Sequence, residues 1–199
     1  YIDEEKGVTS VEDAIQGGVD VLVATGFDEG GTVPDKVVGT FSAVPYVVDI
    51  VNGRVPVMAA GGIVDARTTK AAFDLGAEGV FAGTAFLATD ESPLADNIKD
   101  QLVKLDAYDE VMFKALPRFY RSLPGKLPNH LLEMSQEGKS KEEVWAAADH
   151  YNGMRTGMLE GDLDHGFASF GMGMSFIHDI APVKTVVDRM YAGIPEDQR

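Results

Sequence analysis

Three short apolar runs, each closing on glycine and separated by stretches of helical period, constrain this chain more than anything else in it. They are residues 19–24, broken at Gly26; residues 55–60, followed by Gly61 and Gly62; and residues 80–82, followed by Gly83 and Thr84. Near-continuous hydrophobicity suits parallel strands covered on both faces better than half-exposed ones. Between them, residues 40–52 carry Val44, Val47, Val48, Ile50 and Val51 and read as a crossover helix. Asp65 then offers an N-cap to a second helix, whose core stripe is Ala71, Ala72 and Leu75 and whose stop is Gly76. Such alternation predicts an α/β fold of parallel βα units, in which ligand sites gather at the carboxyl ends of the strands.

The rhythm differs at the two ends of the chain. Ser10 with Asp13 reads as a capping box opening a short helix that stops at Gly17 and Gly18. From residue 92 onward the pattern is helical: residues 96–105, residues 108–116, then a connection rich in proline at Pro117, Pro124 and Pro128. Ser140 and Glu143 form a second capping box before residues 144–148, and an amphipathic helix is expected over 183–191. Two units follow: residues 1–91 as βα units, and residues 92–199 as a helical segment covering the active-site side.

Strand ends that finish in glycine suit a phosphate group, because the missing Cβ lets backbone approach and leaves N–H groups to point at the anion. Ala60, Gly61 and Gly62 on one strand, with Ala82, Gly83 and Thr84 on the next, are therefore candidates for a cofactor phosphate site. Ordinary turn chemistry is the plain reading of a lone Gly-Gly; the repetition across one crossover favours the site. Three units cannot close a (β/α)8 barrel, which takes eight and about 250 residues. Either the sheet is small and open, or about five units lie upstream and the chain is a fragment, an expectation that fits its opening at Tyr1 without methionine.

The charge balance narrows the partners. Lys and Arg number 17 against 32 Asp and Glu, a net charge of -15 with no basic cluster, which repels a nucleic-acid backbone. No apolar run reaches the roughly 18 residues of a membrane helix. Cysteine is absent, which removes disulfides, thiolate ligands and a cysteine nucleophile and fits a reducing, cytoplasmic setting. No metal site is expected.

Residues 55–67 together with residues 75–92 resemble the nitronate monooxygenase (2-nitropropane dioxygenase) and enoyl-acyl-carrier-protein reductase II family of FMN-dependent TIM barrels. The resemblance takes in residues 10–31 and resumes at 161–166, but is poor from about 105 to 150. It implies that the strands are the sixth to eighth of the barrel, that FMN phosphate sits at Gly61, Gly62, Gly83 and Thr84, and that Gly30 and Gly31 also bind the cofactor. It implies electron transfer through FMN between NADH or NADPH, or a substrate, and an enoyl thioester, quinone or oxygen. The N-terminal half of the barrel would be a partner, and a homodimer fits.

Two departures bear on the chemistry. Thr32 stands where the family has a histidine beside the flavin, and threonine is no general base near neutral pH. Met172 stands where relatives often have glutamine. On the substrate side His165 and Met172 are candidates, with a solvent-facing loop histidine and a core methionine as the plain readings. Asp28 and Glu29 read as substrate contacts or solvated carboxylates; Arg118 and Arg121 read as a phosphate grip for nicotinamide or acyl carrier, or as surface ion pairs. Other classes stay open: a phosphate-binding TIM-barrel isomerase or lyase without flavin, and a non-catalytic flavin-binding protein.

Overall fold

The computed structural model describes residues 8–199, with side chains from residue 10. Helix α1 (Val8–Gln16) leads to β1 (Leu22–Thr25), and the short β2 (Thr32–Val33) intervenes before α2 (Thr40–Val51). Then come β3 (Val57–Ala60), α3 (Ala66–Asp74), β4 (Gly79–Phe81) and the single turn α4 (Thr84–Leu87). Strands β1, β3 and β4 pair side by side and parallel, with Thr25 opposite Ala60 and Ala60 opposite Phe81. Because the register aligns their ends, Gly26, Gly61 and Gly83 emerge along one rim of the sheet.

The local signals explain these elements. Asp65 caps α3 in a reciprocal box: its Oδ1 accepts the Thr68 N–H at 2.8 Å, while the Asp65 N–H donates to the Thr68 hydroxyl at 3.0 Å. Helix α2 turns Val44, Val47 and Val51 onto Val57 and Ala59 of β3, all nearly inaccessible to water. Ser10 does not cap α1; the helix begins at Val8 and takes Ser10 inside it.

The chain continues as α5 (Asp96–Leu102), β5 (Val111–Lys114), β6 (Phe119–Ser122), α6 (Lys126–Gln136), α7 (Lys141–Ala147), α8 (His150–Glu160) and α9 (Val183–Tyr191). A helix expected over 108–116 is instead the first arm of a hairpin. Val, Phe and Tyr placed on either side of Leu116 and Pro117 favour a pleated surface, and the Ala115 N–H closes the turn on the Arg118 carbonyl at 2.8 Å. The proline-rich connection likewise holds β6, and Pro128 is accepted in the first turn of α6, where a missing N–H costs nothing. The remote β2 joins this sheet, with Thr32 opposite Tyr120. A second core forms beneath it, where Trp145 stacks on Tyr120 with ring centres 5.2 Å apart and Phe113, Leu131, Val144 and Phe167 close round them. Ser140 caps α7 as expected, and α9 spans 183–191. No helix among the described residues is long and apolar enough to cross a membrane.

Candidate functional site

The aligned strand ends open into a cleft of about 500 Å³, a volume usual for small-molecule sites. Gly30, Gly31, Ala60, Gly61, Gly62, Ala82, Gly83 and Thr84 all line it. Helical and loop segments from the far end of the chain complete the wall through Ser169, Gly171 and Gly173.

The two glycine ends differ in what demands them. At Gly61 the backbone takes φ 94°, and a Cβ would stand 2.8 Å from the Gly26 carbonyl oxygen. The fold itself therefore requires glycine there. At Gly83, φ is -115° and a Cβ would meet no atom within 4 Å, so neither conformation nor protein packing excludes a side chain. The space at that point is open. Among the described residues, the backbone N–H groups of Gly62, Gly83 and Thr84 have no hydrogen-bond partner, while that of Gly61 faces the Phe81 carbonyl in the β3–β4 ladder. The cleft has no Lys or Arg in its lining, so an anion would rest on these dipoles.

The other candidates lie elsewhere. Thr32 opens β2 and is absent from the cleft lining. His165 is exposed, its Nδ1 2.7 Å from the Asp162 carboxylate, and lines no cavity described; the hydrogen bond from that ring holds the Asp162 carboxyl below its ordinary range. Met172 donates its N–H to the Asp28 carbonyl at 2.9 Å and lines a second, more open groove of about 560 Å³ with Phe41, Leu75, Tyr108 and Phe176. Met174 is fully buried in the core. Asp28 and Glu29 are the titratable residues of the cleft lining, and Asp28 is partly spent: its Oδ2 accepts the Thr40 N–H at 2.6 Å at the start of α2.

Ser169 is a cleft residue that sequence reasoning missed. Its Oγ accepts the Gly31 N–H at 2.9 Å across 138 residues, and Thr84 Oγ1 likewise accepts the Gly171 N–H at 2.9 Å. Neither contact has a local signal, since an isolated serine or threonine carries no trace of a partner so distant. Glu110, just before β5, is half-buried, with both carboxyl oxygens shut off from solvent and unpartnered. Burial pushes its pKa up to about 8, against the pull of the Arg121 charge and of the nearby Phe170 N–H, neither of which completes a hydrogen bond to it.

Fold and cleft define an α/β ligand-binding protein whose site is built at the carboxyl ends of adjacent parallel strands. Residues 5–193 match the nitronate monooxygenase family, so the chain belongs to that family of oxidoreductases. Over 140 residues it is 40% identical to a probable nitronate monooxygenase of Staphylococcus aureus, which covers 64% of this chain and 38% of the relative. The chain thus spans 38% of the length of that curated relative. FabK from Thermotoga maritima superposes with a TM-score of 0.83 at 32% identity over 94% of this chain and 58% of its own. A nitroalkane oxidase from Streptomyces ansochromogenes shares the fold, with a TM-score of 0.72 at 24% identity over 94% of this chain and 55% of its own.

Proposed function

We propose that the cleft binds FMN and that the chain supplies about the sixth to eighth strands of a (β/α)8 barrel in a flavin-dependent oxidoreductase. The observation that carries this reading is the cluster of unpartnered N–H groups on Gly62, Gly83 and Thr84, next to Gly61 and beside the open space at Gly83. Those donors would hold the phosphate, at roughly 1.5–3 kcal/mol for each hydrogen bond to a charged group. Gly30, Gly31, Ala60 and Ala82 would wall the rest of the cofactor, residues 92–199 covering that side. Bound FMN supplies the two-electron chemistry between NADH or NADPH, or a substrate, and an enoyl thioester, quinone or oxygen.

Proton handling separates the activities. Asp28 and Glu29 are the titratable groups of the cleft lining, while Thr32, at the usual histidine position, lies in a strand outside it. Proton abstraction from a nitroalkane by a residue at position 32 is thereby disfavoured, and the Asp28 and Glu29 carboxylates remain as candidate bases. Assays with NADH and an enoyl thioester against a nitronate with oxygen separate the two activities. The setting proposed is cytoplasmic, and the barrel's N-terminal half is the proposed partner. Titration of the purified protein, with that half supplied, should give a bound-flavin spectrum that NADH or NADPH bleaches and an enoyl thioester restores. A preparation that gains no flavin spectrum sinks the proposal, and tight binding of a sugar phosphate instead would point to the isomerase or lyase class.

A further inference from the structure

Arg121, in the middle of β6, is only 5% exposed and lines no part of the cleft. Its guanidinium reaches across the chain to the turn at residues 27–31. Nη2 donates to the Phe27 carbonyl at 2.6 Å, Nη1 donates to the Glu29 carbonyl, and the planar group stands 4.4 Å from the centre of the Phe27 ring. The turn therefore lies between this fork and the cleft, which Asp28, Glu29, Gly30 and Gly31 line.

A trans peptide holds its C=O and N–H antiparallel in one plane. The Phe27 carbonyl shares its peptide with the Asp28 N–H, and the Glu29 carbonyl shares its peptide with the Gly30 N–H. Fixing both carbonyls on the guanidinium turns those two N–H groups away from it, and among the described residues neither has a partner. The alternate N–H groups point elsewhere: Glu29 donates to the Gly26 carbonyl at 3.1 Å and Gly31 to Ser169 Oγ at 2.9 Å.

We propose that Arg121 is a positioning residue that sets this turn so that the Asp28 and Gly30 N–H groups are presented to acceptor atoms of the ring system of the bound cofactor. The inference rests on the FMN reading and adds a second donor wall to the phosphate end. Arginine suits the task because its rigid fork makes two parallel bonds, whereas a lysine ammonium is a single point on a flexible stem. Burial pushes the guanidinium pKa down, and the carboxyls of Glu110, Asp28 and Glu29 oppose that. The side chain offers no outward grip on a nicotinamide or carrier phosphate, because its fork is spent on the turn.

The test compares wild type with Arg121→Lys and Arg121→Met for FMN affinity, bound-flavin absorbance and melting temperature, with hydrogen exchange at the Glu29 and Gly31 amides measured without FMN. Expected are FMN affinity about tenfold weaker in both variants, shifted flavin bands, and faster exchange at both amides while amides of β3 keep their protection. Wild-type affinity, spectrum and exchange in both variants would overturn the inference. If the wild type binds no FMN, the FMN reading fails, and unchanged exchange at Glu29 and Gly31 then overturns the positioning role by itself. Should the single variants misfold around Glu110, the double variant Arg121→Met with Glu110→Gln removes both titratable groups and carries the same measurements.

Discussion

Two glycines at equivalent strand ends should respond oppositely to one methyl group. At Gly61, alanine has to adopt φ 94° against the Gly26 carbonyl, so Gly61→Ala should lower unfolding free energy by about 1–3 kcal/mol. At Gly83 the protein leaves room, so Gly83→Ala should keep the wild-type melting temperature and weaken FMN binding about tenfold, the methyl occupying ligand space. Calorimetry and flavin titration on both variants check the pair; equal melting losses would show that Gly83 is a fold residue too. Glu110 gives a pH signature. Its pKa rises from 4.5 to about 8 on folding, so between those values the unfolded chain releases a proton that the native protein keeps. Stability should therefore fall as pH rises through that window, by at most about 1.4 kcal/mol per pH unit from this group. Glu110→Gln should flatten the fall, read from denaturant midpoints at pH 5 and pH 8; an unchanged slope would refute it.

Among the elements, those with punctuation of their own were legible in the sequence. Asp65 alone, and Ser140 with Glu143, announce α3 and α7 because a cap is a contact over three residues; that Thr68 completes a box with Asp65 came only from the structure. Helix α9 announces itself by period alone. The hairpin of β5 and β6 did not, since twelve residues containing a Leu-Pro pair read as a broken helix until a third strand gives them something to pair with. That strand is β2, nearly 90 residues earlier, whose two residues are too few for any period to appear. The cleft divides in the same way: its glycine rims lie in local strand-to-helix turns and could be read, while Ser169 and Arg121 act through contacts made only by the folded chain.

At the scale of the whole molecule, the parallel sheet is covered on one face and open on the other. Ala59 and Val57 lie beneath helices, while Val23 and Phe81 line the cleft and are 37% and 60% exposed, and β1 and β4 have no further strand beside them among the described residues. Unpaired edges beside exposed apolar side chains favour added strands. Co-expression with the N-terminal barrel half should give a one-to-one complex by native mass, and Phe81→Glu should abolish it; a chain that stays alone in both cases would sink the barrel reading. The bonds from Gly31 to Ser169 and from Thr84 to Gly171 carry a further consequence, for biosynthesis. Domains take shape as the chain leaves the ribosome, amino end first. Both rims of the site are delivered before the wall that joins them, so a nascent chain that has not reached Ser169 and Gly171 has strand ends but no enclosed binding site. Enclosure of the site thereby waits on the segment that carries Ser169 and Gly171.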